Sequence, residues 1–245
     1  MQRYFAKEKI DDIFVLYDSD IHHIKNVMRY QIDNLIEVVY NNKLYICKIK
    51  CLEPLNIKIF EERQEDRNSN VKLTVALALV NEQKMDLILQ KLTELGVTKI
   101  IPIKTTRSIV KLDEKKEIKK ITRWQMICKE ASEQSKRTDI PIIENIKILK
   151  DLIPEKMDLK LLCSLKEKPI SIKEYLTDEI KNIMFVIGPE GGFTAEEESL
   201  LLNNGFNSVS LGKRVMRVET AAIYVASIIN YTYEGWYYEL YNWFL

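Results

Sequence analysis

From residue 71 onward, apolar strands alternate with helices, and this alternation constrains the fold more than any other feature of the sequence. Leu73 to Val80 is an apolar run of the kind that forms a strand buried on both faces. A helical segment from Glu82 to Leu95 follows and stops at Gly96, a residue that commonly ends helices. Because the same order recurs along the chain, we predict an α/β fold with a mostly parallel sheet covered by helices on both sides.

The remaining elements of this part follow from the same pattern. Further strands are predicted at VTKIIPI (97–103), LKLLC (159–163), NIMFVI (182–187) and NSVSL (207–211). Helices are predicted near 114–137, near 170–180, from residue 195 and from residue 219.

The first third of the chain has a different pattern, with short runs that alternate apolar and polar residues. These runs are Ile13 to Tyr17, Leu35 to Tyr40, Leu44 to Ile49 and Leu55 to Phe60. Asn41 and Asn42 separate the second run from the third and suit a tight hairpin turn, because asparagine tolerates a positive φ. We therefore predict a small antiparallel sheet or barrel in residues 1–70, with a polar linker at 61–70, and a second domain over 71–245.

Composition and charge narrow the class of protein. The 245 residues are 46% hydrophobic and 30% charged with a formal net charge of +1, so any nucleic-acid surface must be a local patch. The four cysteines form no CxxC pair and lie near no histidine cluster, so a zinc site is not expected. The opening MQRYFAKEKIDD lacks the apolar segment of a signal peptide, and no apolar run reaches the roughly 18 residues of a membrane span. We expect a cytoplasmic protein with no metal and no membrane partner.

The loop IGPEGGF (187–193) directly follows the strand NIMFVI and precedes a helix. Thr194 and Glu197 are spaced as a capping box, with the threonine at the N-cap. A strand, a glycine-rich turn and a helix form the arrangement in which α/β folds hold ligands. A tight turn without a ligand explains Gly191 and Gly192 equally well. No Walker lysine and no GxGxxG spacing is present, which disfavours a nucleotide-dependent oxidoreductase and suits a ligand with little or no phosphate.

The loop SLGKRVMRVETAA (210–222) again joins a predicted strand to a predicted helix. It places a glycine, two arginines and a threonine between apolar stretches. A purely structural loop seldom needs that much charge beside Val215, Met216 and Val218. The alternative is a solvated surface turn whose arginines pair with Glu219 or Glu190.

Together the two loops resemble the paired motif of the RsmE family, within the SPOUT superfamily of RNA methyltransferases. Met216 stands where many relatives carry leucine, which is a nearly neutral change for packing. Further segments match the family in the same order along the chain: MQRYF at the start, HHIKNVMR (22–29), KMDLILQKLTELGV (84–97), TTRSIVK (105–111) and RWQMICKEASEQSKRTDIP (123–141).

This resemblance implies both a fold and an activity. It implies an N-terminal PUA-like β-barrel that binds RNA, and a C-terminal SPOUT domain with a deep trefoil knot at about residues 160–235, which no periodicity can predict. It implies a homodimer that transfers the methyl group of S-adenosylmethionine to N3 of a specific uridine in the 16S RNA of the small ribosomal subunit. A non-catalytic RNA-binding or ribosome-assembly factor of the same fold is the alternative, although a pure binder needs no cofactor pocket.

The resemblance also assigns roles within the two loops. An arginine beside a developing uracil anion would stabilise it, so the catalytic candidates are Arg217 first and Arg214 second, with Glu219 as a third. Glutamate, arginine and water all remain open as the acceptor of the uracil proton. Thr220 is explained equally well as a helix cap. The cofactor is expected against Gly188, Glu190, Gly191, Gly192, Leu211, Gly212, Val215, Met216 and Thr220.

A second set of residues is expected to bind RNA, because phosphates attract arginine and lysine. Arg123, Glu130, Gln134 and Arg137 are spaced so that they share one face of the predicted long helix, although a solvated helix face is the alternative. The aromatic ending GWYYELYNWFL (235–245) is expected to pack on its own domain or a partner subunit rather than on RNA. The predicted RNA-binding residues are Arg3, Arg29, Lys84, Arg107, Arg123 and Arg137.

Overall fold

The computed structural model describes residues 1–65, 69–108, 114–164 and 170–234, which divide into two compact units. The first unit combines residues 1–68 with 129–140, and the second combines 69–128 with 141–245. The aromatic ending and residues 109–111 of the TTRSIVK segment lie outside the described ranges. The predicted division at residue 70 remains a prediction, because the two units follow contacts rather than chain order.

The first unit is built on one six-stranded sheet. Its strands are β1 (Arg3–Phe5), β2 (Glu8–Ile10), β3 (Ile13–Val15), β4 (Leu35–Tyr40), β5 (Lys43–Leu52) and β6 (Leu55–Arg63). They lie in the order β1-β4-β5-β6-β3-β2, with β1 parallel to β4 and the other neighbours antiparallel. Helix α1 (Asp18–His22) continues into a π-helical turn (His23–Val27). Asn41 and Asn42 have φ of 49° and 60°, which confirms the predicted hairpin turn.

The second unit carries the predicted parallel sheet. Its strands are β7 (Lys72–Ala78), β8 (Lys99–Lys104), β9 (Ile142–Ile143), β10 (Lys147–Ile148), β11 (Leu159–Cys163), β12 (Ile170–Ser171), β13 (Asn182–Ile187) and β14 (Asn207–Ser210). The order is β10-β8-β7-β13-β11-β14-β12, β9 pairs with β8, and all of these ladders are parallel. The residues from Ile183 to Val186 are fully buried in the middle of this sheet, as the continuous apolar run predicts.

Four longer helices complete the elements. They are α2 (Glu82–Glu94), α3 (Glu114–Gln134), α4 (Ala195–Leu202) and α5 (Val218–Tyr233). α2 ends as predicted, since Gly96 adopts a φ of 78° just beyond it. From Lys129 onward, the residues of α3 belong to the first unit. Short 3-10 turns span Leu149–Leu152 and Ile172–Glu174.

The helix predicted near 170–180 is wrong. Ile170 instead pairs with Val209 of β14, and a short 3-10 turn follows. The side chain of Ser171 accepts a hydrogen bond from the backbone of Lys173, while the Glu174 carboxylate accepts one from the Ser171 amide. These local hydrogen bonds satisfy the backbone polar groups over a single turn, and they compete with a longer helix in this segment.

The long helix α3 also ends earlier than predicted. It stops at Gln134, and Lys136 has a φ of 60°, a left-handed conformation that a continuing helix cannot contain. Arg137 therefore lies beyond the helix, and the prediction that it shares a helical face with Arg123 is wrong. The left-handed backbone of Lys136 therefore sets where the helix must end.

A buried ionic cluster lies within the first unit. The Lys129 Nζ donates to Asp20 Oδ1 at 2.7 Å and to Glu133 Oε1 at 2.6 Å, and all three side chains are buried. Glu133 also accepts a hydrogen bond from the Phe5 amide. One ammonium therefore faces two carboxylates. Burial, opposed by Lys129 but reinforced by the charge of Asp20, raises the pKa of Glu133 to about 7.

The raised pKa of Glu133 predicts how stability changes with pH. Because the folded protein holds this proton more tightly than the unfolded chain, the associated stability is complete below pH 4.5 and is lost as the pH rises through about 7. The parent's free energy of unfolding should fall by up to about 3 kcal/mol between these pH values, and we expect Glu133→Gln to remove most of this fall. Denaturant unfolding at several pH values measures this. A parent protein whose free energy of unfolding is constant over this pH range would contradict the prediction. Glu130→Gln, on the exposed side of the same helix, is the control and should behave like the parent.

Candidate active site

The segments that follow several parallel strands carry the candidate residues. β8, β7 and β13 are neighbours, and β14 lies beyond β11 in the same sheet. Because parallel strands end at the same edge, the segments after them meet there. The first loop, residues 188–194, follows β13, and the second loop, residues 211–217, follows β14 and leads into α5.

The first loop is a tight strand-to-helix connection. A Cβ on Gly188 would lie 2.9 Å from the Phe193 ring, so a side chain at this position would displace that ring. Gly192 has a φ of 66° and its amide donates to the Pro189 carbonyl at 2.8 Å. The predicted capping box is confirmed: Thr194 Oγ1 accepts from the Glu197 amide, and the Glu197 carboxylate accepts from the Thr194 amide.

Residues from the segment after β8 fasten this loop. Arg107 Nη1 donates to the carbonyl oxygens of Gly191 at 2.7 Å and Phe193 at 3.2 Å. The amide and hydroxyl of Thr106 both donate to Glu197 Oε1, at 2.7 Å and 2.9 Å. Sequence reasoning missed Thr106 and assigned Arg107 to RNA, although both lie in the TTRSIVK segment. In this structure Arg107 holds the shape of the first loop.

We expect Arg107→Ala to loosen the first loop. Loss of two hydrogen bonds from a charged donor should raise the hydrogen-exchange rate of the Gly192 amide about tenfold or more, because bonds to charged groups contribute about 1.5–3 kcal/mol. Exchange measured by mass spectrometry or NMR tests this. Arg123→Ala removes an exposed, ion-paired arginine of the same unit and should leave the Gly192 amide unchanged. Equal exchange in the parent and Arg107→Ala would show that the guanidinium does not hold the loop.

Lys84 joins the first loop to the start of α5. Its Nζ donates to Glu190 Oε1 at 2.6 Å and lies 3.9 Å from Glu219 Oε2. The hydrogen bond from Lys84 holds the pKa of Glu190 below its ordinary value, and in return Glu190 raises the pKa of Lys84. Asn81 caps α2 by accepting a bond from the Lys84 amide at 3.0 Å, which places this lysine at the helix start. Sequence reasoning missed Asn81, although an asparagine before a helical run is a readable cap.

Glu219 is unusual among the carboxylates of this site. Its Oε2 is buried, and within the described ranges no donor forms a hydrogen bond to it. Burying a carboxylate oxygen without a donor is costly, so such an atom marks a place where a ligand could supply one. Glu219 lies in the first turn of α5, where the helix dipole stabilises a negative charge.

The second loop exposes its cations. Arg214 and Arg217 are both exposed, and in the part of the chain that the structure describes neither guanidinium has a hydrogen-bond or ion-pair partner. The alternative that they pair with Glu219 or Glu190 is therefore not seen. Arg217 is the N-cap residue of α5 and makes no side-chain cap bond, so the alternative of Thr220 as the cap is wrong. The charge of Arg217 opposes the upward shift in the pKa of Lys84.

The other predicted cofactor residues surround these groups. Gly212 has a φ of 115°, which glycine alone adopts readily. Leu211 and Met216 are half-buried, Val215 is 79% exposed, and Thr220 is exposed. The structure therefore provides backbone and apolar surface at the second loop, the Glu190 carboxylate at the first loop, and the Glu219 carboxylate at the start of α5.

The predicted RNA-binding residues fall into different environments. Arg3 is only 1% exposed; it pairs with Glu37 and Glu65 and donates to two backbone carbonyls within the first unit. Arg137 is also buried and pairs with Asp139. Burial counts against RNA contact by Arg3 and Arg137, because a phosphate could reach neither without opening the fold. Arg29 and Arg123 are exposed, and Arg123 forms ion pairs with Asp86 and Glu82.

The two loops fit S-adenosylmethionine, the cofactor that the resemblance implies. A Cβ on Gly192 or Gly212 would meet no atom within 4 Å, so open space lies beside both backbones. Bare backbone of this kind can approach and hydrogen-bond a purine closely. The carboxylates of Glu190 and Glu219 complement a positively charged sulfonium. Among the described residues no cluster of His, Cys, Asp or Glu could hold a metal, and no helix among them is long and apolar enough to cross a bilayer.

Comparison with known proteins gives a consistent result. Residues 67–230 match the RNA methyltransferase domain family, and residues 16–59 match the RNA methyltransferase PUA domain family. The chain is 33% identical over 250 residues to ribosomal RNA small subunit methyltransferase E from Bacillus subtilis, covering 96% of this chain and 98% of that protein.

Two solved structures are similar over nearly the whole chain. The first is ribosomal RNA small subunit methyltransferase E from Neisseria gonorrhoeae bound to S-adenosyl methionine, with a TM-score of 0.87, 30% identity, and coverage of 95% of this chain and 98% of that one. The second is a methyltransferase from Legionella pneumophila in complex with the cofactor SAM, with a TM-score of 0.89, 29% identity and the same coverage.

Proposed function

The chain belongs to the ribosomal RNA small subunit methyltransferase E family, and from this premise we propose that it methylates N3 of a specific uridine in 16S ribosomal RNA. The methyl donor is S-adenosylmethionine, which the similar solved structures hold. One observation supports the proposal: two exposed arginines, without ion-pair partners among the described residues, lie in the second of two bare-backbone loops that follow strands of the parallel sheet.

The chemistry of the target explains why arginine is needed. Uracil N3 carries a proton and is a poor nucleophile near neutral pH, so the protein must position the base and favour its deprotonated form. S-adenosylmethionine supplies an activated methyl group on a sulfonium centre when it is bound. Positioning the uracil and favouring loss of its N3 proton are left to the residues of the second loop and α5.

We assign Arg217 to stabilise the uracil anion. A guanidinium fixed near a developing oxyanion lowers its free energy most in a site from which water is excluded. Arg217 suits this role because its side chain has no partner in the described structure and its backbone begins α5. Arg214 is the second candidate, since it lies exposed in the same loop and has no partner among the residues that the structure describes.

We assign Glu219 Oε2 as the acceptor of the N3 proton. The observation in support is that this buried oxygen has no hydrogen-bond donor within the described residues. Lys84, 3.9 Å away, would stabilise the carboxylate before it accepts the proton. Lys84 and Arg107 act as positioning residues in this proposal, because each bonds to the first loop.

The cofactor would lie between the two loops. Gly188, Gly191 and Gly192 would offer backbone on one side, and Gly212 would do so on the other. Glu190 would place negative charge near the sulfonium, while Leu211, Val215 and Met216 would give apolar contact. Thr220 would add a hydroxyl.

The family supports four further proposals. We propose that residues 1–70 form an RNA-binding PUA-like domain and that residues 71–245 form the methyltransferase domain. We also propose that the segment at about 160–235 is knotted. The active protein would be a homodimer that acts on the small ribosomal subunit. Its location would be cytoplasmic, because that is where the ribosomal RNA lies.

A methyl-transfer assay tests the proposed function. The protein is incubated with labelled S-adenosylmethionine and unmodified small-subunit RNA, either free or in assembled subunits. N3 methylation blocks the pairing edge of uracil, so reverse transcription should stop at one uridine. Methylation at another base position would overturn the N3 assignment. Cofactor binding without methyl transfer to any RNA would favour the alternative of a non-catalytic assembly factor.

A further inference from the structure

One face of the first unit's sheet is left uncovered around β6. Along this strand Ile57 is fully buried and Ile59 is half-buried, whereas Lys58 is exposed and Phe60 is 64% exposed. Since side chains alternate along a strand, Lys58 and Phe60 share the face opposite the core. Phe60 therefore presents a large aromatic ring to solvent.

A β-bulge projects Phe60 from the sheet. Cys47 of β5 pairs with Ile59, and Ile46 pairs with Glu61, so Phe60 has no residue opposite it. Bulges of this kind aim a side chain away from the regular ladder. The Lys48 Nζ lies 5.9 Å from the centroid of the Phe60 ring, which shows that the two side chains occupy the same face.

Three lysines lie on the two strands that carry and flank this ring, and of these Lys48 approaches it. Lys48 lies directly opposite Lys58 in the β5–β6 ladder, and Lys50 lies at a second irregularity of β5, where its ammonium approaches the same carboxylate oxygen of Asp33 as Lys48 does. Asp33 approaches Lys48 at 3.6 Å and Lys50 at 3.7 Å. Lys58 has no ion-pair partner among the described residues. Glu61, next to Phe60 in the chain, is neutralised by Arg63, so the three ammonium groups and the Asp33 carboxylate leave this patch cationic.

An aromatic ring set among cations suits single-stranded RNA. Phosphates attract the lysines, while an unpaired base stacks on an exposed aromatic face. A double helix would not use Phe60, because its bases are already stacked. A hydrophobic protein partner would leave the lysines without a role. Charge complementarity therefore favours a polyanion that also carries flat, apolar surfaces.

We propose that Phe60, Lys48, Lys50 and Lys58 form a stacking site for an unpaired base of the RNA substrate. None of these residues was among the RNA-binding positions expected from the sequence. The site rests on the proposed function for the identity of its RNA. It adds a contact on the first unit that holds single-stranded substrate independently of the cofactor loops.

Fluorescence anisotropy with two labelled oligomers tests the site. The first is a uridine 12-mer, and the second is a sugar-phosphate 12-mer of the same charge without bases. Parent protein should bind the uridine oligomer more tightly. Phe60→Ala should raise the Kd for the uridine oligomer about fivefold or more and leave the Kd for the abasic oligomer unchanged. Phe60→Trp should restore the parent's preference.

The lysines have a separate readout. Lys48→Gln with Lys58→Gln should weaken binding of both oligomers alike and reduce the slope of log K against log salt by about 1.4. Ile142→Ala is the control for Phe60→Ala, because Ile142 is a hydrophobic residue that is 59% exposed. Lys150→Gln is the control for the lysine variant. Neither should change either Kd.

The outcomes separate this site from the proposed function. The stacking site is overturned if parent protein binds neither oligomer, if it shows no preference for bases, or if Phe60→Ala binds the uridine oligomer like the parent. Calorimetry with S-adenosylmethionine should give the same affinity for the parent and Phe60→Ala. Failure of the parent to bind S-adenosylmethionine would instead count against the methyltransferase assignment, whatever the oligomers show.

Discussion

Arg217→Ala should slow methyl transfer about 100- to 1000-fold while leaving the fold and the affinity for S-adenosylmethionine nearly unchanged. The expected loss is large because the guanidinium would act only where negative charge develops on the uracil. The helix should tolerate the change, since Arg217 makes no side-chain cap bond at the start of α5. Single-turnover transfer of a labelled methyl group to small-subunit RNA measures the effect.

The pH profile separates a catalytic Arg217 from a merely structural one. If the guanidinium stabilises the uracil anion, alkaline pH should narrow the gap between Arg217→Ala and the parent, because the anion then forms without help. Arg217→Lys keeps the charge and should recover part of the rate. A rate for Arg217→Ala equal to the parent's would remove Arg217 from the mechanism and leave Arg214 as the arginine to test.

Gly191→Arg should abolish binding of S-adenosylmethionine, with a fall in affinity of at least about a hundredfold, or about 2.7 kcal/mol. A Cβ on Gly191 would contact the Cβ and Cδ of Arg107 at 3.4 Å, so a long side chain there would crowd the arginine that holds the loop and cover its bare backbone. The added positive charge would also oppose a sulfonium. Isothermal titration calorimetry measures the loss directly.

The control for this variant adds the same charge elsewhere in the same unit. Asn203→Arg changes an exposed residue that follows α4, and it should bind S-adenosylmethionine like the parent. Binding by Gly191→Arg with unchanged affinity would place the cofactor away from the first loop. A parent protein that binds no S-adenosylmethionine, with or without ribosomal RNA, would overturn the methyltransferase assignment itself.

The sequence predicted the elements of the second unit well where local chemistry decides them. Apolar runs predicted the buried strands β7 and β13, and the Thr194–Glu197 spacing predicted a capping box that the structure confirms. These features depend on residues close in the chain, so a window of sequence contains them. The helix predicted near 170–180 failed because hydrogen bonds between side chain and backbone at Ser171 compete with a longer helix.

The candidate site was predictable in its residues but not in their partners. The motifs indicated both loops and the arginines, and the roles assigned to these residues remain predictions. Spacing alone could not show that Arg107 bonds to the carbonyls of the first loop, 84 and 86 residues away in the chain. Nor could it show that Arg3 is buried among carboxylates and carbonyls and so is unsuited to meet a phosphate.

The sequence by itself indicated the longer strands and helices of the second unit, the two motif loops and the family to which the chain belongs. Periodicity, capping and turn chemistry are local, and the motif residues are read directly. Only the tertiary structure decided which side chains meet: Lys84 with Glu190, Arg107 with Gly191, and Lys48 with Phe60. Such contacts depend on strand order, register and a single bulge, which arise when distant segments pack and which no local pattern encodes.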